Sequence, residues 1–361
     1  MSEAPQPVRI VLLYGGQSAE HDVSRLSAAS VLKAIDPAKY DVVPIAITPD
    51  GRWLRSDETL ALMAEGVQAL PESLDAGGTD LAPLASIAPA HPDQQVVVLP
   101  ILHGPRGEDG TVQGLLELAD VAYVGTGVFG SALNMDKATA KVVAQAAGIP
   151  VCRWISARDN ELDDAFIARV GAELGWPVFV KPSNMGSSVG VTKAGDPAEL
   201  RAALDEATKY DEWVVVEEAV ADARELEVGV IGNEAPRASV VGEIVPTHEF
   251  YDYEDKYVDG ASEMVIPADV PDEVAEELRA LAVRVYRALR CDGLSRVDFF
   301  YEADGRGLVF NEINTLPGFT KYSMFPSLWA ASGLDYPDLI DELIRLALAR
   351  HQHRAPHRRL R

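Results

Sequence analysis

Cysteine is scarce. Cys152 and Cys291 are the only two in 361 residues, both isolated beside apolar runs, which fits buried free thiols and excludes a disulfide framework or a Cys-based metal site. Positive charge is also short, with 32 Lys and Arg against 56 Asp and Glu for a net charge of −24. A chain of that balance lacks the basic footprint that phosphate backbones demand, so nucleic-acid binding is excluded as its trade. No stretch approaches the roughly 18 to 20 uninterrupted apolar residues of a membrane span, and the start, MSEAPQPVRIVLLYGG, has neither a basic region nor a cleavage site. The expected compartment is the cytoplasm, with no membrane partner. No internal repeat is visible.

What is present is ordinary globular material, 47% hydrophobic, enough for a sizeable core divided among two or three domains. The apolar run at 8–14 ending in Gly15-Gly16 predicts a buried parallel strand, followed by a helix after Asp22 and a strand at 42–48. A second buried strand at 96–102 opens into the glycine-rich turn from His103 to Gly110 and a helix at 112–119. Ligands in open parallel sheets bind at the carboxyl ends of strands, so both loops should face one crevice. Between them, 51–92 carries one expected helix near 58–70 and then a loop. A helix through Met135, Ala140 and Ala147 follows, then strands at 176–181 and 191–193 around a small-residue loop. A mainly antiparallel region begins at 213. The segment 247–263 is polar, aromatic and too long for a tight hairpin, a length typical of functional loops. After helices at 272–290 and 336–349, the tail RHQHRAPHRRLR has no apolar period and is expected to be a disordered basic end.

Two stretches carry chemistry. RVDFFYEADGRGLVFNEINTLPG, 296–318, reads as a β-hairpin. With its turn at 303–307, Asp298 lies opposite Glu312 and Arg296 opposite Asn314, while Val297, Phe299 and Tyr301 face Ile313, Asn311 and Val309. Opposed cross-strand pairs sit about 5 Å apart, and like charges there repel. A cation is therefore expected between the acids, and two carboxylates with an amide oxygen are the hard ligands Mg²⁺ uses when it shares its shell with phosphates. The second stretch, KPSNMGSSVG at 181–190, is rich in small residues, hydroxyls and backbone amides, as a flap over phosphates would need, with Lys181 as a point charge. It is not a Walker loop, because the G-x-x-x-x-G-K-[ST] order and the helix that must follow are missing. Glu217 and Glu225 stand where they could reach a ribose or a base.

Seven motifs in order, GGQSAEHDVS, HGPRGEDGTVQG, MDK, KPSNMGSSVG, FYDYEDKY, RVDF and NEINTLPGFT, resemble the successive signatures of the D-alanine-D-alanine ligases of the ATP-grasp superfamily, across about 8–349. The resemblance implies an α/β (α+β) fold of three domains: a Rossmann-like 1–126, a central ATP-grasp domain 127–217 and a C-terminal one 218–349 with a lid at 247–263. The basic tail, 350–361, lies outside it. It implies ATP as co-substrate, two Mg²⁺ ions (Mn²⁺ as substitute) on Asp298, Glu312 and Asn314, and Lys137, Lys181, Ser188 and Lys256 on the nucleotide phosphates, with Glu217 and Glu225 at the adenosine. Glu20 would receive the first D-alanine's ammonium, with His103 nearby. Arg296 and the N–H of Gly318 would stabilise the oxyanion, and Ser323 and Met324 would hold the second D-alanine. Glu20, Ser187 and Tyr257 would link three loops over the closed site. The implied role is cytoplasmic synthesis of a peptidoglycan precursor, commonly by a homodimer. The nearest rival is a D-alanine-D-lactate ligase, disfavoured by Tyr257; beyond it stand another ATP-grasp carboxylate-amine ligase and a nucleotide-binding protein that has lost catalysis.

Overall fold

The computed structural model describes residues 7–220, 223–245 and 263–358. Its described strands form three sheets. The first has the order β4-β3-β2-β1-β5-β6, built from β1 (Val8–Gly15), β2 (Tyr40–Ile47), β3 (Trp53–Arg55), β4 (Thr79–Asp80), β5 (Val96–Ile101) and β6 (Ala122–Tyr123). The four strands β2, β1, β5 and β6 are parallel, and β1 is buried almost throughout, as a continuous apolar run requires when both faces are covered. The turns after β1 and β5 emerge side by side at the carboxyl edge, as expected.

The second sheet, β7-β10-β8-β9, comprises β7 (Trp154–Arg158), β8 (Val178–Pro182), β9 (Thr192–Ala194) and β10 (Trp213–Glu218). The third, β13-β12-β11-β14-β15, comprises β11 (Arg224–Gly232), β12 (Arg237–Val245), β13 (Glu263–Val265), β14 (Gly293–Glu302) and β15 (Gly307–Asn314). Both are antiparallel throughout. The amphipathic helix Asp272–Ala288 buries Leu278, Leu281, Ala282, Val285 and Tyr286 on the third sheet, one stripe at the helical period.

The hairpin keeps its expected register where it matters and departs from it elsewhere. Arg296 pairs with Asn314, Val297 with Ile313 and Asp298 with Glu312. Beyond them Phe299 pairs with Phe310 and Tyr301 with Leu308, not with Asn311 and Val309. The turn is the even one, Ala303-Asp304-Gly305-Arg306, which alone would slip the strands by a residue. A bulge at Asn311 absorbs the slip.

Three other expectations change. The helix expected through Met135 and Ala147 is two, Val128–Met135 and Lys137–Ala146, divided at Asp136, whose carboxylate caps the second by accepting from Thr139 N at 2.7 Å. The segment 51–92 is more structured than a loop, with β3, β4 and a short helix Pro83–Ser86, and its main helix stops at Glu65 before Gly66. Within the described residues the basic tail is helical and not a disordered end: the last helix runs Tyr336–Arg358. Arg350 is only 6% exposed, lies 4.3 Å over the Tyr123 ring, and donates to the carbonyls of Tyr123 (2.8 Å) and Gly125. Arg354 pairs with Asp292 at 2.8 Å and with Glu117. Two of the cations that made the tail look solvated thus fasten it, Arg350 to β6 and the turn after it and Arg354 to Asp292 and Glu117. Arg350→Ala strands two buried carbonyls and should cost on the order of 3 kcal/mol. Thermal melting should register the loss, whereas the exposed His353→Ala should not move it.

Candidate active site

A cavity of about 890 Å³ opens where the three sheets meet. From the first sheet come Glu20 and His103, from the second the flap after β8, and from the third the hairpin and the turn at Pro317-Gly318. Glu20 is nearly buried and accepts a hydrogen bond from the Ser187 hydroxyl across the cavity. Two glycines press on that carboxylate. A Cβ at Gly104 or Gly186 would lie 2.7 or 2.8 Å from Glu20 Oε2, so a side chain at either would push that carboxylate aside, and Gly104 also has a φ of 75° that disfavours one. Ser187 and Ser188 adopt φ of 49° and 58°, uncommon for non-glycine residues and a signature of functional turns.

Two lysines stand beneath the flap. Lys181 Nζ donates to Glu217 Oε2 at 2.9 Å, and Lys141 Nζ lies 3.1 Å from Glu217 Oε1. Burial pushes the Glu217 carboxyl up, but the two ammonium groups outweigh it and hold it at about 2. The same carboxylate keeps Lys181 charged, raised above the usual lysine range despite its burial. The Asn311 bulge joins this cluster, its carbonyl accepting from Lys141 at 3.2 Å. Lys137, at the first turn of its helix, donates to the Met185 carbonyl of the flap and comes within 4.0 Å of Glu312.

On the third sheet three acids stand side by side across three strands, because Glu227 pairs with Asp298 and Asp298 with Glu312. Arg296 supplies a cation between Asp298 and Glu227: its guanidinium is bidentate on Asp298, with both bonds at 2.8 Å, and lies 2.9 Å from Glu227 Oε2. Burial lowers its pKa, but the Asp298 and Glu227 charges more than reverse that, so it stays protonated. Asn314 Nδ2 donates to Asp298 Oδ2 at 2.8 Å. Turned over, the same amide would present its oxygen beside Asp298 and Glu312, a hard oxygen set on one face that suits Mg²⁺.

A second small-molecule end lies at the start of helix Met324–Ala331. Ser323 occupies the N-cap without capping the helix through its hydroxyl, which meets Thr320 Oγ1 at 2.8 Å instead, and a Cβ on Gly318 would be 3.3 Å from it. Amides at a helix start beside a hydroxyl suit a carboxylate.

Two family models cover nearly all of this architecture. The one described as D-ala D-ala ligase N-terminus matches residues 9–126, and the one described as D-ala D-ala ligase C-terminus matches 143–345. The chain belongs to the D-alanine-D-alanine ligase family. It is 46% identical to the D-alanine--D-alanine ligase of Geobacillus kaustophilus over 96% of both chains, and 49% identical to that of Deinococcus radiodurans over 94% of this chain and 98% of the relative. The structure of the D-alanine-D-alanine ligase from Coxiella burnetii is similar at TM-score 0.80, with 34% identity over 98% of this chain and 97% of that one. A D-Ala:D-Ser ligase from Enterococcus faecalis is similar at TM-score 0.78, also with 34% identity, over 95% and 100%.

For this ligase-family chain the structure brings together Glu20, His103, Lys137, Lys181, Ser187, Ser188, Glu217, Glu225, Arg296, Asp298, Glu312, Asn314, Gly318, Ser323 and Met324 around one cavity. Lys256 and Tyr257 lie outside the described residues, as does the expected lid except for Glu263. Two of them also have protein partners. Glu217 has its oxygens on Lys141 and Lys181, because a carboxylate this buried takes the nearest cations. His103 has both ring nitrogens on protein, Nδ1 3.0 Å from the Leu316 carbonyl and Nε2 3.4 Å from Ser27 Oγ, and burial lowers its pKa and keeps it neutral. Two residues were missed. Lys141 lies one helical turn after Lys137 in an otherwise alanine-rich buried stripe, and a lysine there needs a partner. Glu227 alternates with Leu226 and Val228, which puts it on the face of Asp298.

Proposed function

We propose that the protein joins two D-alanines to D-alanyl-D-alanine with ATP, releasing ADP and phosphate, as the names of its relatives indicate for them. The observation that carries this is the opposition of Asp298 and Glu312 beside Arg296, in one cavity with the phosphate-type flap and Glu20. In this reading Glu20 takes the ammonium of the first D-alanine, and Lys137, Lys181 and the amides around Ser188 hold the ATP phosphates, with Lys256 from outside the described residues. Glu217 fixes the lysines, and Glu225 remains for the adenosine. Mg²⁺, two ions bound by Asp298, Glu312 and Asn314, would neutralise phosphate charge, for which Mn²⁺ would serve.

Phosphoryl transfer to the first carboxylate needs in-line positioning more than covalent help. The resulting acyl phosphate is attacked by the second amine. Arg296 and the Gly318 N–H face the oxyanion so formed, and preorganised donors lower that barrier without reorganising. Ser323 and the helix start hold the second carboxylate, with Met324 against its methyl. Ser187 on Glu20, joined by Tyr257 and the lid 247–263, would shut water out. Domain limits at 126, 217 and 349, cytoplasmic work on a peptidoglycan precursor and a homodimeric state belong to the same reading.

D-alanine-dependent ADP release that disappears in Glu312→Ala is the expected result. Full activity in that variant would refute the metal assignment. The second amine is tested by offering D-serine and D-lactate against D-alanine at neutral pH; a product dominated by either competitor would overturn the D-alanine choice.

A further inference from the structure

We infer that His103 and Glu108 form a clamp on both main-chain groups of Leu316 and so position the Pro317-Gly318 turn for reaction. The inference rests on the ligase reading, in which the Gly318 N–H meets the oxyanion. Leu316 N donates to Glu108 Oε1 at 3.1 Å, and the Leu316 carbonyl receives His103 Nδ1 at 3.0 Å. Two side chains of one loop thus grip the N–H and the C=O of one residue more than 200 positions away. The neutral state of His103 fixes its tautomer, since the proton must be on Nδ1 to donate.

The grip is itself rigid. Glu108 Oε2 accepts from Gly104 N at 3.1 Å, while Glu108 N donates back to Gly104 O at 2.9 Å, closing the turn after β5 on itself. The Leu316 side chain is buried in the core of the first sheet. Only Pro317, with φ fixed by its ring, separates Leu316 from Gly318. A residue so held transmits its position to the next peptide, where misplacement by about 1 Å can cost about 10²-fold. His103 and Glu108 are therefore positioning residues.

The test compares His103→Asn with His103→Gln. The Asn amide nitrogen can occupy the place of Nδ1, whereas the Gln nitrogen overlays Nε2 and cannot reach the Leu316 carbonyl. The expected result is a kcat at least fivefold higher in H103N than in H103Q, with KM for ATP and D-alanine moved less than threefold in both. Glu108→Gln, which replaces one acceptor by a donor, should lower kcat tenfold and speed amide hydrogen exchange across 315–318 more than across the strands of the first sheet. Equal activity in H103N and H103Q, or a rise confined to KM for D-alanine, would overturn the clamp, as would unchanged exchange in E108Q. Wild-type protein that releases no ADP with D-alanine would instead overturn the ligase reading and the clamp's part in catalysis, leaving exchange to report the grip alone.

Discussion

Arg296→Ala should reduce kcat by about 10² to 10³, the loss that follows removal of one preorganised oxyanion donor. The KM for ATP should move far less, because Lys137 and Lys181, the proposed phosphate ligands, reach the cavity from other elements. Arg296→Lys should recover little of the rate. A lysine ammonium cannot reproduce a planar fork that holds both oxygens of Asp298 while its Nε stays on Glu227. Arg296→Ala also removes the charge that separates two directly opposed acids, Glu227 and Asp298. Steady-state kinetics of both variants beside wild type decides this. Unchanged kcat in Arg296→Ala would mean that the guanidinium only neutralises its acidic neighbours and takes no part in the transition state.

How the hairpin came to be readable is instructive. Alternation sorts residues to faces with a period of two, so Arg296, Asp298, Glu312 and Asn314 could be set opposite one another from sequence. The turn could not be fixed in the same way, because a four-residue turn with a bulge and an odd loop without one give the same pairs at the site. The difference emerges only at Asn311, and it has a consequence: the bulged residue's carbonyl accepts from Lys141. Two parallel strands and their loops were equally plain, since buried runs ending in glycine leave few alternatives. Partner choice among buried charges was not legible. Nothing local in the sequence says that Glu217 faces lysines, that His103 holds a distant carbonyl, or that Arg350 lies over Tyr123, for each is settled by packing between sheets. A run of arginines at a chain end is ordinarily solvated, and here tertiary contacts override composition.

Glu217→Ala is expected to be the most damaging single substitution in stability. It leaves Lys141 and Lys181 facing each other with side chains 2% and 13% exposed and no carboxylate between them, and unpaired buried charge costs about 3 to 5 kcal/mol. Glu217→Gln should be milder in volume but nearly as severe in charge. The pH dependence carries a sign that a packing defect would not. The folded-state pKa of Glu217, about 2, lies below its ordinary 4.5, so its contribution is fully present above 4.5 and is lost as pH falls toward 2. Over that window wild type should lose on the order of 3 kcal/mol through this group, while the Gln variant, already uncharged there, should lose that much less. Denaturant titrations of both proteins at pH 7, 4 and 3 measure the difference. Parallel curves would show that the two lysines do not depend on Glu217, whereas converging curves would identify it as the fixed anion that keeps Lys181 charged and aimed beneath the flap.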